Sequence, residues 1–254
     1  MLPRGLDRRA DHASVTNPRV RRPRAAEDGK ILRGLTSGGV PLAEPIGLGF
    51  DGAGVVDEVG EGVSGVSIGD DVFGLGRQTQ AEYAVLTAWA AKPASLDWGV
   101  AGSAGTVSET AVRGLELLGV GAGSTVLVDG ASGGVGAVAV EGAVAPGATV
   151  VGAIPVTYGP GLADRIAALG VGGLDAVFDV AGQTPIAELI ALAPEPAQVV
   201  SIANFSAGEA GARVTGGGEI DKTAALVEAA GLLEQSRLVI KIQTFPLDRA
   251  AEGY

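Results

Sequence analysis

Cysteine is absent from this chain of 254 residues, and there is a single histidine, His12. Without cysteine there are no disulfides and no thiolate metal sites. His12 stands in an arginine-rich stretch and reads as a solvated side chain rather than as a ligand or general base. Aromatic residues make up only 4% of the chain, so Ala, Val and Gly must do the packing. No apolar run is long enough to span a bilayer, because the richest one, 135–156, is interrupted by Glu141, Pro146 and Pro155. The N-terminal stretch lacks the apolar core of a signal peptide, and Asp7 and Asp11 argue against a transit peptide. A cytoplasmic protein is expected.

The net charge of −11 is unevenly spread. Residues 1–33 carry a balance of +5 and the remaining 221 residues a balance of −16. The acidic body argues against nucleic-acid and membrane-surface partners, while the basic N-terminal stretch has the character of an interaction tail. With 46% hydrophobic residues, the chain is globular and large enough for one large or two modest domains.

Among the many glycines, one cluster has a defined context. Residues 125–128 form a β-branched apolar run of strand type, 130–136 a small-residue loop, and 135–144 an apolar helix. Aligned on its end, the loop reads Ala131-x-Gly133-x-x-Gly136, a dinucleotide fingerprint with Ala in the first position. Such a loop lets backbone approach a pyrophosphate at Gly133 and lets the helix pack tightly on the strand at Gly136. The helix then offers free N–H groups and a partial positive charge to the phosphates.

The rest of the chain supports that placement. Residues 1–26 show no period of 2 or 3.6 and cannot be assigned structure. Short strands at 54–60, 71–74 and 81–86, cut by glycine turns, indicate a small β barrel or sandwich. A helix is expected at 103–118, where Val107, Ala111, Leu115 and Leu118 recur at helical spacing. Strands at 148–151, 174–179 and 198–203 then alternate with helices at 162–169 and 186–192, which implies a parallel sheet covered on both faces. A helix at 226–233 and a strand at 239–245 follow. Asp51 and Asp70 are expected to hold barrel turns, and Trp89 and Trp98 to pack.

Several segments in this order resemble the medium-chain dehydrogenase/reductase superfamily, in its zinc-free quinone-oxidoreductase and enoyl-reductase branch. They are 49–60, 66–74, 81–84, 109–111, 130–136, 174–182 and 245–247, so that the resemblance runs from about Gly29 to Tyr254. It implies an α/β protein with a GroES-like β-barrel domain at 27–103 and a Rossmann doubly wound parallel sheet at 104–222. The unassigned arginine-rich segment 1–26 precedes them, and residues 223–254 return towards the barrel. NADPH is the implied cofactor, and the implied reaction is hydride transfer to a quinone or an α,β-unsaturated carbonyl. Zinc is bound by Cys, His and carboxylates, and a chain with no Cys and one misplaced His lacks the ligands of the superfamily's zinc branch. The expected partners are a small-molecule quinone or enone and a second copy of the chain in a homodimer. A polyketide-tailoring enoyl reductase and a non-catalytic dinucleotide-binding protein are the alternatives.

The resemblance also assigns residues. Gly130, Ala131, Ser132, Gly133, Gly134, Val135 and Gly136 match the pyrophosphate loop, and Thr110 the family's threonine near the nicotinamide. Tyr158 resembles the tyrosine beside the 2′-phosphate. Ala181 and Gly182 end a strand at the sheet's carboxyl edge, and Asn204 and Phe205 follow the next one. Asp28 and Lys30 resemble a substrate-side segment. No proton donor is identified.

Two features bear on cofactor choice. The strand at 148–151 is followed by Gly152 and Ala153, with no acidic residue to hold the ribose hydroxyls of NAD, so NADPH is expected over NADH. Only those two residues separate it from a second strand-like segment, 154–158, whereas parallel neighbours need a crossover of about a dozen residues or more. A mobile stretch left out of the numbering is favoured over a true deletion, which places Val151 and Gly152 far apart.

Overall fold

In a computed structural model, the residues described are 14–16 (backbone), 46–152, 159–170, 172–235, 240, 242–246 and 248–249. The chain divides into two compact units, residues 1–106 with 241–254, and residues 107–240. Among the described residues, no helix is long and apolar enough to cross a membrane.

The first unit contains a closed antiparallel barrel of β1 (Ser14–Thr16), β2 (Asp51–Glu58), β3 (Asp71–Gly76) and β4 (Tyr83–Ala91). Strand β1 closes it, pairing with β2 on one side and β4 on the other. It lies in the segment that showed no period, because three residues are too few to display alternation. Val56, Val72 and Leu86 form the barrel core, with Val59, Val66 and Trp89 packed against it. Trp98 packs as expected and carries the Lys92 ammonium 4.6 Å from its ring centroid. Asp70 holds a turn, accepting the Ser67 N–H at 2.8 Å. The Asp51 carboxylate also accepts the N–H of Thr106, within the helix α1 (Trp98–Leu118). That helix begins five residues earlier than its apolar period indicates. Asp97 accepts the Gly99 N–H at 2.7 Å and supplies the first turn with the acceptor it lacks.

The second unit is an α/β sandwich. Its five parallel strands are β5 (Thr125–Asp129), β6 (Thr149–Val151), β7 (Ala176–Asp179), β8 (Val199–Ser201) and β9 (Arg213–Val214), in the spatial order β6-β5-β7-β8-β9. On one face, Leu127, Val151, Val177 and Val199 form a core with Leu162 and Ile166 of helix α3 (Leu162–Ala167) and Leu189 of α4 (Ile186–Leu192). Alternation along a strand turns Val128 and Phe178 to the other face. There the Phe178 ring lies against Gly114 of α1, so closely that a Cβ at Gly114 would collide with the ring. Helix α2 (Gly134–Val144) packs with α5 (Lys222–Glu234). Helix α5 begins four residues before its apolar stretch, because Asp221 caps it through the N–H groups of Thr223 and Ala224. Of the strand expected at 239–245, residues 239 and 241 lie outside the described residues, and the others make one isolated bridge at Phe245.

The expected break after Val151 is not found. Val151 leads directly into Gly152, which takes a φ of +136°, a conformation that glycine alone adopts readily. A Cβ there would stand 2.8 Å from the Val128 carbonyl oxygen, so the turn is pressed against β5. Residues 153–158 lie outside the described residues, and the chain re-enters at Gly159. Three side chains pin that re-entry. Thr184 Oγ1 accepts the Gly159 N–H at 2.8 Å. Glu188 accepts the N–H groups of Gly161 and Leu162 at 3.0–3.1 Å. Arg165 donates to the carbonyls of Gly159 and Pro160, both at 3.0 Å.

Candidate functional site

Three strands of the second unit end in register. Asp129 of β5 stands opposite Asp179 of β7, and Asp179 opposite Ser201 of β8. The loops that follow these residues contain most of the residues singled out in the sequence. They are packed on one another through glycines. Gly130, at φ +100°, leaves no room for a side chain, since a Cβ would lie 2.8 Å from Val180 Cγ2 and 2.9 Å from Ala181 Cβ. A Cβ on Gly182 would lie 2.9 Å from Ala203 Cβ. Gly130, Ala181, Gly182 and Asn204 thus share one edge of the sheet, the carboxyl edge where open α/β sheets take their ligands.

The polar atoms beneath these loops are tightly paired. Asp179 accepts the Gly182 N–H and the Ser201 hydroxyl, each at 2.7 Å. Ser201 Oγ in turn accepts the Asn204 N–H at 2.9 Å. Asn204 turns its side chain to Ser206, accepting from its N–H and hydroxyl at 3.2 and 2.8 Å, and Phe205 is left 66% exposed. Asp129 is buried, and that burial pushes its carboxyl up from the ordinary range. The neighbouring Asp179 adds to the rise, while the Thr184 hydroxyl and Arg165 oppose it.

Helix α2 opens straight out of the glycine loop. Its N-cap, Gly133, is extended and provides no side-chain cap, so among the described residues no side chain caps the first N–H groups of the helix. The glycines differ in what they allow. At Gly136 a Cβ would collide with the Gly130 carbonyl and lie 2.7 Å from Ala131 Cα, so the close approach at Gly136 is to the loop that follows β5 rather than to the strand itself. At Gly133 the nearest atom would be 3.4 Å away, and at Gly134 it would be Val107 Cγ1 at 3.2 Å. The space left by the missing side chains at these two positions, together with uncapped N–H groups at a helix start, fits a phosphate group.

Thr110 lies one turn along α1 from Val107, the residue that touches α2. It is buried, and its hydroxyl faces inward, 3.3 Å from Arg113 Nη2 and 3.4 Å from Glu109 Oε2. Arg113 and Glu109 form a buried bidentate ion pair at 2.8 and 3.2 Å. Arg113 also donates to Thr215 at the end of β9. Burial works against ionisation of Glu219, but hydrogen bonds from Thr215 and backbone N–H groups, with Arg113 nearby, hold its carboxyl below the ordinary range. Tyr158, Asp28 and Lys30 lie outside the described residues. Asp129, Thr184, Ser201 and the Glu109–Arg113 pair escaped sequence reasoning. The signal available for Asp129 and Ser201 was that each ends an apolar strand of this sheet. Among the described residues, no group of three or more His, Asp or Glu is placed to hold a metal ion.

The family model for the alcohol dehydrogenase GroES-like domain matches residues 26–113. A highly reducing polyketide synthase of Fusarium mangiferae is 42% identical over 106 residues, 41% of this chain and 4% of that protein. A 2-methylene-furan-3-one reductase of Solanum lycopersicum is 34% identical over 108 residues, 37% of this chain and 27% of that protein. The chain thus spans well under a third of the length of either relative. Among solved structures, an alcohol dehydrogenase superfamily protein of Novosphingobium aromaticivorans superposes with a TM-score of 0.72 at 26% identity, covering 92% of this chain and 83% of that one. The quinone oxidoreductase of Coxiella burnetii shares the fold with a TM-score of 0.71 at 24% identity, covering 95% of this chain and 85% of that one.

Proposed function

The chain belongs to the medium-chain dehydrogenase/reductase superfamily, and from that premise we propose that it is an NADPH-dependent reductase of conjugated carbonyls or quinones that works without zinc. The observation that carries this is the uncapped start of α2 rising from a glycine loop at the sheet's carboxyl edge. When bound, a nicotinamide dinucleotide supplies hydride. The chain supplies position and electrostatics. The backbone of residues 130–136 would hold the pyrophosphate. Ala181, Gly182, Asn204 and Phe205 would line the approach to the nicotinamide, and Tyr158 would stand by the 2′-phosphate. Thr110 would act from α1, its hydroxyl held by Arg113. Asp28 and Lys30 are proposed on the substrate side. Hydride added to the β-carbon of an enone leaves charge on the carbonyl oxygen, which backbone N–H groups or water stabilise until solvent delivers the proton.

The preference for NADPH rests on the end of β6, where Gly152 stands in place of the acidic residue that would hold the ribose hydroxyls of NADH. Only Gly152 and Ala153 separate β6 from the segment 154–158 that carries Tyr158, so the preference is expected to be modest. Titration of the purified protein should give a lower Kd for NADPH than for NADH; the reverse order overturns the preference. NADPH oxidation across a panel of quinones and enones should detect turnover, unchanged by chelators. Activity lost on chelation and restored by zinc counts against the zinc-free reading. The likeness to a polyketide synthase at 42% identity favours a second reading, a polyketide-tailoring enoyl reductase. Such an enzyme should ignore simple quinones and reduce a bulky conjugated thioester. Nucleotide binding with no turnover on either class marks a non-catalytic dinucleotide-binding protein.

A further inference from the structure

We propose that dinucleotide binding at the glycine loop is coupled to uptake of a proton by Asp129, which stands in register with Asp179 at the carboxyl ends of β5 and β7. The proposal rests on the reading of the glycine loop as a nucleotide site. The two residues are direct neighbours across the strand pair. In-register residues of adjacent parallel strands point to the same face about 4.8 Å apart. Both are buried, at 3% and 0% exposure. Their partners differ. Asp179 has a donor on each oxygen, from Gly182 and Ser201. Asp129 has the Thr184 hydroxyl, but its Oδ2 is buried without a hydrogen-bond partner among the described residues. A buried oxygen without a donor beside a second carboxylate is unfavourable as an anion and accommodated as O–H.

The other charged groups around it do not remove the conflict. Arg165 of α3 faces Asp129 and lowers its proton affinity, yet burial and Asp179 together prevail. The Arg165 guanidinium also serves the carbonyls of Gly159 and Pro160. Glu188 of α4 is engaged by the N–H groups of Gly161 and Leu162. Asp129 immediately precedes Gly130, and Gly130 packs on Val180 and Ala181, which follow Asp179. A pyrophosphate at the start of α2 would therefore bring two more negative charges to within about a Debye length of the pair, through protein rather than solvent. Those charges raise the proton affinity of Asp129 further. By linkage, the nucleotide binds more tightly to the protonated form and draws a proton from solution.

The test is calorimetric titration with NADPH in two buffers of different ionisation heat, at several pH values, on the wild type, Asp129→Asn and Asp179→Asn. Wild type should take up a fraction of a proton, and its affinity should fall as pH rises through the Asp129 midpoint, by up to about tenfold per pH unit. Asp129→Asn keeps the shape of the side chain and removes its titration. It should bind with no proton uptake and a flat profile, and Asp179→Asn should also abolish the uptake. The empty protein provides a second readout. Folding raises the Asp129 carboxyl above its ordinary value of 3.8. Its stabilising contribution is therefore complete in acid and is lost as pH rises through the folded-state midpoint, a loss that Asp129→Asn should remove. Nucleotide binding without proton exchange, or uptake that persists in Asp129→Asn, overturns the coupling and leaves the functional reading standing. A protein that binds no dinucleotide overturns both.

Discussion

Replacing Arg113 with methionine is expected to destabilise the second unit by about 3–5 kcal/mol, because it leaves the Glu109 carboxylate buried without its partner. The side chains of the pair are only 4% and 6% exposed, and the guanidinium holds both Glu109 oxygens. The loss is not that of one contact. Arg113 also reaches Thr215, so α1 and the end of β9 are joined through it. The double variant Glu109→Leu with Arg113→Met removes both charges and should recover much of the loss, since apolar replacement of a whole buried pair is often neutral. Chemical denaturation of the two variants measures the difference. Equal stability of the single and double variants would show that the pair carries no buried-charge penalty. In the functional reading, the single variant should also free the Thr110 hydroxyl and raise the KM for NADPH, an effect to be measured at a temperature where the variant remains folded.

The glycine loop should separate folding from binding. Gly134→Leu is expected to fold at a modest cost, since a Cβ there would stand 3.2 Å from Val107 Cγ1, a stiff β-branched neighbour that must give slightly. In the functional reading it should weaken NADPH binding on the order of a hundredfold, equivalent to about 2.7 kcal/mol, because its side chain crowds the helix start proposed to hold the pyrophosphate. Gly136→Val fails differently. Its side chain drives into the backbone of Gly130 and Ala131, and overpacking at such a contact costs about 1–3 kcal/mol or more. Thermal melts combined with nucleotide titration distinguish the two. A Gly134→Leu protein that folds and binds NADPH as the wild type does would remove the glycine loop from the site.

The sequence was most legible where a pattern is local. The run Thr125–Val128 into Gly130–Gly136 announced a strand–turn–helix unit, because β-branched residues, glycines and the apolar helix each act through their nearest neighbours. Helix limits were less legible. Asp97 and Asp221 each start a helix several residues before its apolar period begins, since a cap acts through one side-chain oxygen and leaves no mark on periodicity. Contacts between distant segments left no local trace. Arg113 meets Thr215 across 102 residues and Gly159 meets Thr184 across 25, and nothing in either stretch advertises the other. Asp129 could be seen ending a strand, but its in-register partner Asp179 emerged only once β7 was placed beside β5. The junction after Val151 was recognised as too short for an ordinary crossover, yet the expected break is absent. The chain turns at Gly152, and Thr184, Glu188 and Arg165 hold its re-entry, compensation that no counting of intervening residues reveals.

The sheet of the second unit also bears on how copies of this protein meet. Among the described residues its outer strands are β6, of three residues, and β9, of two. Each exposes few unpaired backbone N–H and C=O groups, and a β-strand from another molecule needs a longer row to add itself in register. The apolar central strands β5 and β7, which would be hazardous at a margin, are flanked on both sides. Among the described residues, the brevity of these borders leaves little room for edge-to-edge pairing.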